Sequence, residues 1–106
     1  MKIPILAIGR NEEIMETLLR LLNKNEHWTA LGALSDEQAM AIFNSFQPVM
    51  VLLCNGIDDN SEKQLRNYFD GKNPAVIIIQ HYGGGSGLLT NEILQALDQR
   101  NRQTNQ

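Results

Sequence analysis

Cys54 is the only cysteine in the 106 residues, so no disulfide can close within the chain, and no group of Cys and His has the spacing of a structural zinc site. A reducing, cytoplasmic setting is the natural expectation. Long hydrophobic runs are also missing. The N-terminal stretch Met1-Lys2-Ile3-Pro4-Ile5-Leu6-Ala7-Ile8 falls far short of the ~20 residues that span a bilayer, and no small-residue cleavage site follows it. Neither an anchor nor a secretion signal is expected. Basic clusters are absent: 9 Lys and Arg against 12 Asp and Glu give a net charge of -3, and the cations are scattered. That excludes the electrostatic footprint of a nucleic-acid partner. No internal repeat occurs.

What is present suits one small packed domain, since 42% of the residues are hydrophobic. Ile3 to Ile8 is a β-branched and aliphatic run closed by Gly9, apolar at consecutive positions as a strand covered on both faces should be. Asn11 is placed to cap a helix with Glu12 and Glu13 in its first turn and Ile14, Leu18, Leu21 and Leu22 as its apolar stripe. Trp28 to Leu34 predicts a less apolar, edge-type strand. Ser35 and Gln38 form a capping box for a helix that buries Ala39, Ile42, Phe43 and Phe46. Pro48 ends it, and Val49 to Cys54 reads as the central strand.

Beyond it, Asp59 with Glu62 is expected to cap a third helix presenting Leu65, Tyr68 and Phe69 and ending at Gly71. Ala75 to Ile79 is the most β-branched segment, and His81-Tyr82-Gly83-Gly84-Gly85-Ser86-Gly87 reads as a loop. A last helix from about Thr90 turns Ile93, Ala96 and Leu97 inward. Residues 1–98 then form the domain, and the polar tail 99–106 is expected to fray because it has no apolar surface to bury. The order βαβαβαβα with right-handed crossovers predicts a parallel α/β sandwich of three layers.

Pro4-Ile5-Leu6-Ala7-Ile8 followed by an acidic helix start, and Gln47-Pro48-Val49-Met50-Val51-Leu52-Leu53, resemble the first and third strands of response-regulator receiver domains. Pro74-Ala75-Val76-Ile77-Ile78-Ile79 resembles the fourth strand, and Glu92-Ile93-Leu94-Gln95-Ala96-Leu97 the last helix. The resemblance implies a flavodoxin-like sheet of order 2-1-3-4, shortened by one helix and one strand. It also implies the places where chemistry should sit. A receiver has an acidic pair for magnesium after the first strand, where this chain has Gly9 and Arg10; its phosphoacceptor aspartate falls on Cys54 and its hydroxyl residue on about Gln80. The receiver lysine and proline would fall near Ser86 and Gly87. Without those carboxylates no magnesium ligand set is expected, and no cofactor or other metal is called for.

Gly9, Arg10, Cys54, Asn55, His81, Gly84 and Ser86 are the candidate pocket residues, all at strand ends or in the glycine-rich loop. Cys54 with His81 as its base would make a nucleophile, although a free cysteine is more commonly a small buried hydrophobe. The loop amides could cradle an anion; a flexible connection in place of the missing elements explains the glycines as well. Arg10 reads either as part of the pocket or as a solvated loop charge. His27 and Trp28 are expected to be exposed or structural and to pack, respectively.

The expected fourth strand lies at a sheet edge, which makes Val76, Ile77, Ile78 and Ile79 the candidate contact for a second copy, through edge pairing or exchange of the last helix. The reading is therefore a non-catalytic receiver-like signalling or protein-interaction module, not phosphorylated in the receiver manner, that binds a protein partner and forms a homodimer. The alternative is a small anion- or phosphoryl-handling protein using Cys54 and the Gly83–Gly87 loop.

Overall fold

A computed structural model describes residues 2–81 and 86–104, with side chains described for 2–81 and 89–99. The elements run β1 (Ile3–Ile8), α1 (Glu12–Asn23), β2 (Trp28–Ala33), α2 (Asp36–Phe46), β3 (Met50–Leu53), α3 (Asp59–Lys72), β4 (Ile77–Gln80) and α4 (Ser86–Thr104). All pairings are parallel, and the sheet order is β2-β1-β3-β4. This is the α/β three-layer arrangement and strand order expected from the sequence.

One face of the sheet carries Ile5, Ala7, Met50 and Leu52 against Met15, Leu18 and Leu22 of α1 and Leu89 and Ile93 of α4. The other carries Leu6, Ile8, Val51 and Leu53 against Ala39 and Phe43 of α2 and Leu65 and Phe69 of α3. Strands β1 and β3 alternate between two apolar layers, so each reads as an unbroken apolar run.

Helices α1 and α3 depart from the sequence reading in three details. In α1 Met15, not Ile14, is buried beside Leu18 and Leu22, and Ile14 is 62% exposed. The cause lies on β2: a Cβ at Gly32 would stand 2.8 Å from the Met15 sulfur and 2.9 Å from Leu19 Cδ1, so the bare glycine lets that side of α1 settle onto the strand. In α3 Asp58 is the cap, accepting from the Ser61 amide at 2.8 Å, while Asp59 and Glu62 occupy the first turn. The helix also passes through Gly71 to Lys72 before Pro74 follows.

Strand β4 starts later than expected. The Asn73 side chain accepts the Ala75 amide at 3.1 Å and the Asn73 carbonyl accepts the Val76 amide at 3.0 Å, a turn that withholds both residues from the ladder. Val76 is consequently a core residue under α3 rather than an edge residue. Helix α4 begins at Ser86 instead of about Thr90 and runs to Thr104.

Helix α2 closes on Gln47, which holds the left-handed conformation at φ 53°, ψ 61°. A side chain there costs on the order of 1 kcal/mol relative to glycine. Gln47→Gly is expected to raise the unfolding free energy by about 0.5–1 kcal/mol, net of the entropy glycine adds to the unfolded chain, as measured by urea denaturation. Any destabilisation would count against this account of the cap.

Candidate functional site

Parallel strands end on one side of the sheet, and three backbone bonds align their ends here. Gly9 donates to the Ala33 carbonyl at 3.0 Å, Cys54 to Ile8 at 2.8 Å, and His81 to Leu53 at 2.9 Å. Between β1 and β3 the chain's connections diverge in opposite directions, the place where open α/β sheets leave a crevice for ligands. A cleft of about 410 Å³ lies there. Its floor holds Gly9 and Cys54, its mouth Arg10 and Asn55, and His81 and Leu89 line it as well. Ile14, Leu18 and Leu21 of α1 give it an apolar wall.

Arg10 is committed to structure. Its guanidinium pairs with the Asp36 carboxylate and donates to the Leu34 carbonyl at 3.3 Å, tying the loop after β1 to the start of α2. Partial burial alone would push the Asp36 carboxyl up, but bonds from Arg10 and the Ser61 hydroxyl outweigh it and hold the carboxyl below its ordinary value. The loop after β3 approaches closely: Gly56 has φ +95°, and a Cβ there would lie 3.3 Å from Arg10 Cβ. Glycine answers both constraints at that position.

Cys54 is half-buried between the core and the cleft, and burial pushes its thiol from 9.0 to about 11, against a smaller opposing effect from the Ile8 backbone. The neutral thiol is thus the form present at neutral pH. His81 is 7% exposed, and its Nδ1 sits 3.4 Å from the Glu92 carboxylate of α4. Among the described residues no hydrogen bond joins His81 to Cys54. The elements of a nucleophile and base are neighbours of one cleft without forming a dyad.

Five of the seven residues expected in a pocket, Gly9, Arg10, Cys54, Asn55 and His81, line this cleft. Gly84 lies outside the described residues, and Ser86 is placed only as the first residue of α4. The sequence reading missed Asp36 and Glu92, which fix Arg10 and His81, and the apolar wall of α1. His27 is exposed and Trp28 is packed in the core. Among the described residues no group of three or more His, Cys, Asp or Glu is arranged to hold a metal ion, and no helix is long and apolar enough to cross a membrane.

No family model matches the chain, and a search of curated proteins finds no match. Among solved structures, the signal receiver domain of an HD domain-containing protein from Pseudomonas fluorescens Pf-5 matches with a TM-score of 0.66, covering 96% of this chain and 99% of that one. The chain has a receiver fold. Sequence identity is 15%, so the likeness is one of architecture. On a receiver fold the cleft described above falls at the carboxyl end of the sheet, where β1 supplies Gly9 and Arg10 and β3 supplies Cys54.

Proposed function

We propose that this chain is a non-catalytic, receiver-like signalling module that works by binding protein and is not phosphorylated in the receiver manner. The observation that carries the reading is the chemistry at the ends of β1 and β3. Phosphoryl transfer to a receiver needs an ionised oxygen nucleophile and a divalent cation held by carboxylates. At the corresponding places this chain has a thiol pushed up to about 11 and a guanidinium bound to Asp36. A neutral thiol is a poor nucleophile, and the Asp36 carboxylate is engaged by the guanidinium instead of being open to a cation. Among the described residues that line the cleft, Glu13 is the one carboxylate. The raised Cys54 value weighs against the thiol-based phosphoryl-handling reading as well.

Two measurements test this. Amide NMR shifts around Gly9, Cys54 and His81 are expected to stay unchanged on adding acetyl phosphate and magnesium; a phosphoryl adduct on any residue would overturn the reading. Alkylation of Cys54 by iodoacetamide should be slow at pH 7 and accelerate toward pH 11, the opposite of an activated thiolate. The same shift carries a sign for stability. The folded thiol titrates above the unfolded one, so its contribution is fully present below pH 9.0 and is lost as pH rises toward about 11.

A further inference from the structure

The two edges of the sheet are finished differently. On β2, Ala30 turns its backbone away from β1, and the side chain of Asn23 meets it: the Ala30 amide donates to Asn23 Oδ1 at 2.8 Å, and Asn23 Nδ2 donates to the Ala30 carbonyl at 3.2 Å. One side chain occupies both outward groups of Ala30, and with the Trp28 amide donating to the Asn25 carbonyl at 3.2 Å and the Leu34 amide to the Gln38 side chain at 2.9 Å, only Gly32 keeps an outward N–H among the described residues of this edge, which is therefore largely taken up. On β4, Ile77 and His81 donate inward to Val49 and Leu53. By the alternation of a parallel ladder, Ile78 points its N–H and C=O outward. No described residue pairs with them.

Side chains along this edge suit apolar contact. Ile77, Ile78 and Ile79 are each only half-buried, Ile77 and Ile79 toward α4 and Ile78 toward α3. No charge lies within Ile77–Gln80. Beside the strand Glu62 pairs with Arg66 at 2.9 Å and also accepts from the Gln80 side chain at 2.6 Å, and at its end Glu92 faces His81 at 3.4 Å. No charge of the strand itself therefore meets its like in a two-fold apposition.

From this asymmetry we infer that the protein associates with a second copy of itself through β4, the two strands running antiparallel about a two-fold axis near Ile78. In that arrangement each Ile78 amide donates to the partner's Ile78 carbonyl, and the four-stranded sheets join into one. The pairing closes on itself because a two-fold contact uses up the one β4 edge of each copy, while Asn23 covers the middle of the other edge. A strand of four residues offers a short ladder, so micromolar affinity is expected. The inference names a partner for the interaction reading above, and the two fail separately. A phosphodonor response would overturn that reading and leave the edge open, whereas a failure to dimerise would remove this partner without making Cys54 a nucleophile.

Light scattering with size exclusion should show a monomer–dimer equilibrium across the micromolar range, and the Ile78 amide should exchange with solvent more slowly as concentration rises. Ile78→Pro removes an N–H that the fold itself leaves unused and is expected to give a folded monomer. Should that variant not fold, wild-type exchange still decides. A monomer at high micromolar concentration, or a dimer in which Ile78 exchange is independent of concentration, would overturn the proposal. So would an Ile78 amide already protected in the monomer, which would mean that the chain covers its own edge, and so would pairing with a foreign extended peptide in place of the second copy.

Discussion

Phe69→Ala is expected to lower the unfolding free energy by about 3–5 kcal/mol. Phe69 is fully buried on the α3 side of the sheet, stacked on Phe43 at 4.4 Å between ring centroids and edge-on to Tyr68 at 6.0 Å. It joins α2 to α3, and the Tyr68 hydroxyl beside it accepts from Asn44 of α2 at 2.8 Å. Truncation leaves a cavity bounded by elements fixed elsewhere, so little collapse can offset it. Against a typical domain stability of about 5–15 kcal/mol this is a large fraction, and the midpoint of thermal unfolding should fall by roughly 15–30 °C. Phe69→Leu, which keeps most of the volume, should cost under about 1.5–2 kcal/mol. Calorimetry or circular dichroism would check both, and equal effects of the two variants would mean that the cavity is not the cause.

Asn23→Ala should act on association more than on stability. Loss of two hydrogen bonds to the largely buried Ala30 costs about 1–3 kcal/mol, and the better helix propensity of alanine returns about 0.5 kcal/mol. With β2 uncovered and Leu31 beside it 43% exposed, both sheet edges become adhesive. Association should then run past the dimer into open-ended species, visible as rising scattering with concentration. Asn23→Asp separates the two effects. It keeps an acceptor for the Ala30 amide but adds a charge at the edge, so it should be destabilised and should not polymerise. Polymerisation of the aspartate variant as well would point to general destabilisation instead of edge exposure.

Much of this was legible in the sequence, and for physical reasons. The apolar runs at residues 3–8 and 49–54 mark strands with two covered faces, and Asn11 and Ser35 mark helix starts through the local bonds they accept from Ile14 and Gln38. Since parallel strands share a carboxyl edge, placing Gly9, Cys54 and His81 near one another needed no more than the strand order. What could not be read was rotation and long-range pairing. Apolar residues of α1 span an arc wider than the sheet can cover, and the choice of Met15 over Ile14 was made by Gly32 on another element. A glycine within an otherwise strand-like run was the available signal. Asp36 and Glu92 lie 26 and 11 residues from their partners, and no local pattern announces such pairs. Asn23 reads in sequence as the ordinary end of a helix.

The Arg10–Asp36 pair also constrains how this site can change over descent. An acidic residue entering at position 10 would face the Asp36 carboxylate at a spot now neutralised by a guanidinium, next to a Gly56 loop with little room to move. A charge change at position 10 therefore leaves Asp36 without its guanidinium, at a cost of about 1 kcal/mol or less for a pair this close to solvent, and a matching change at position 36 removes that cost.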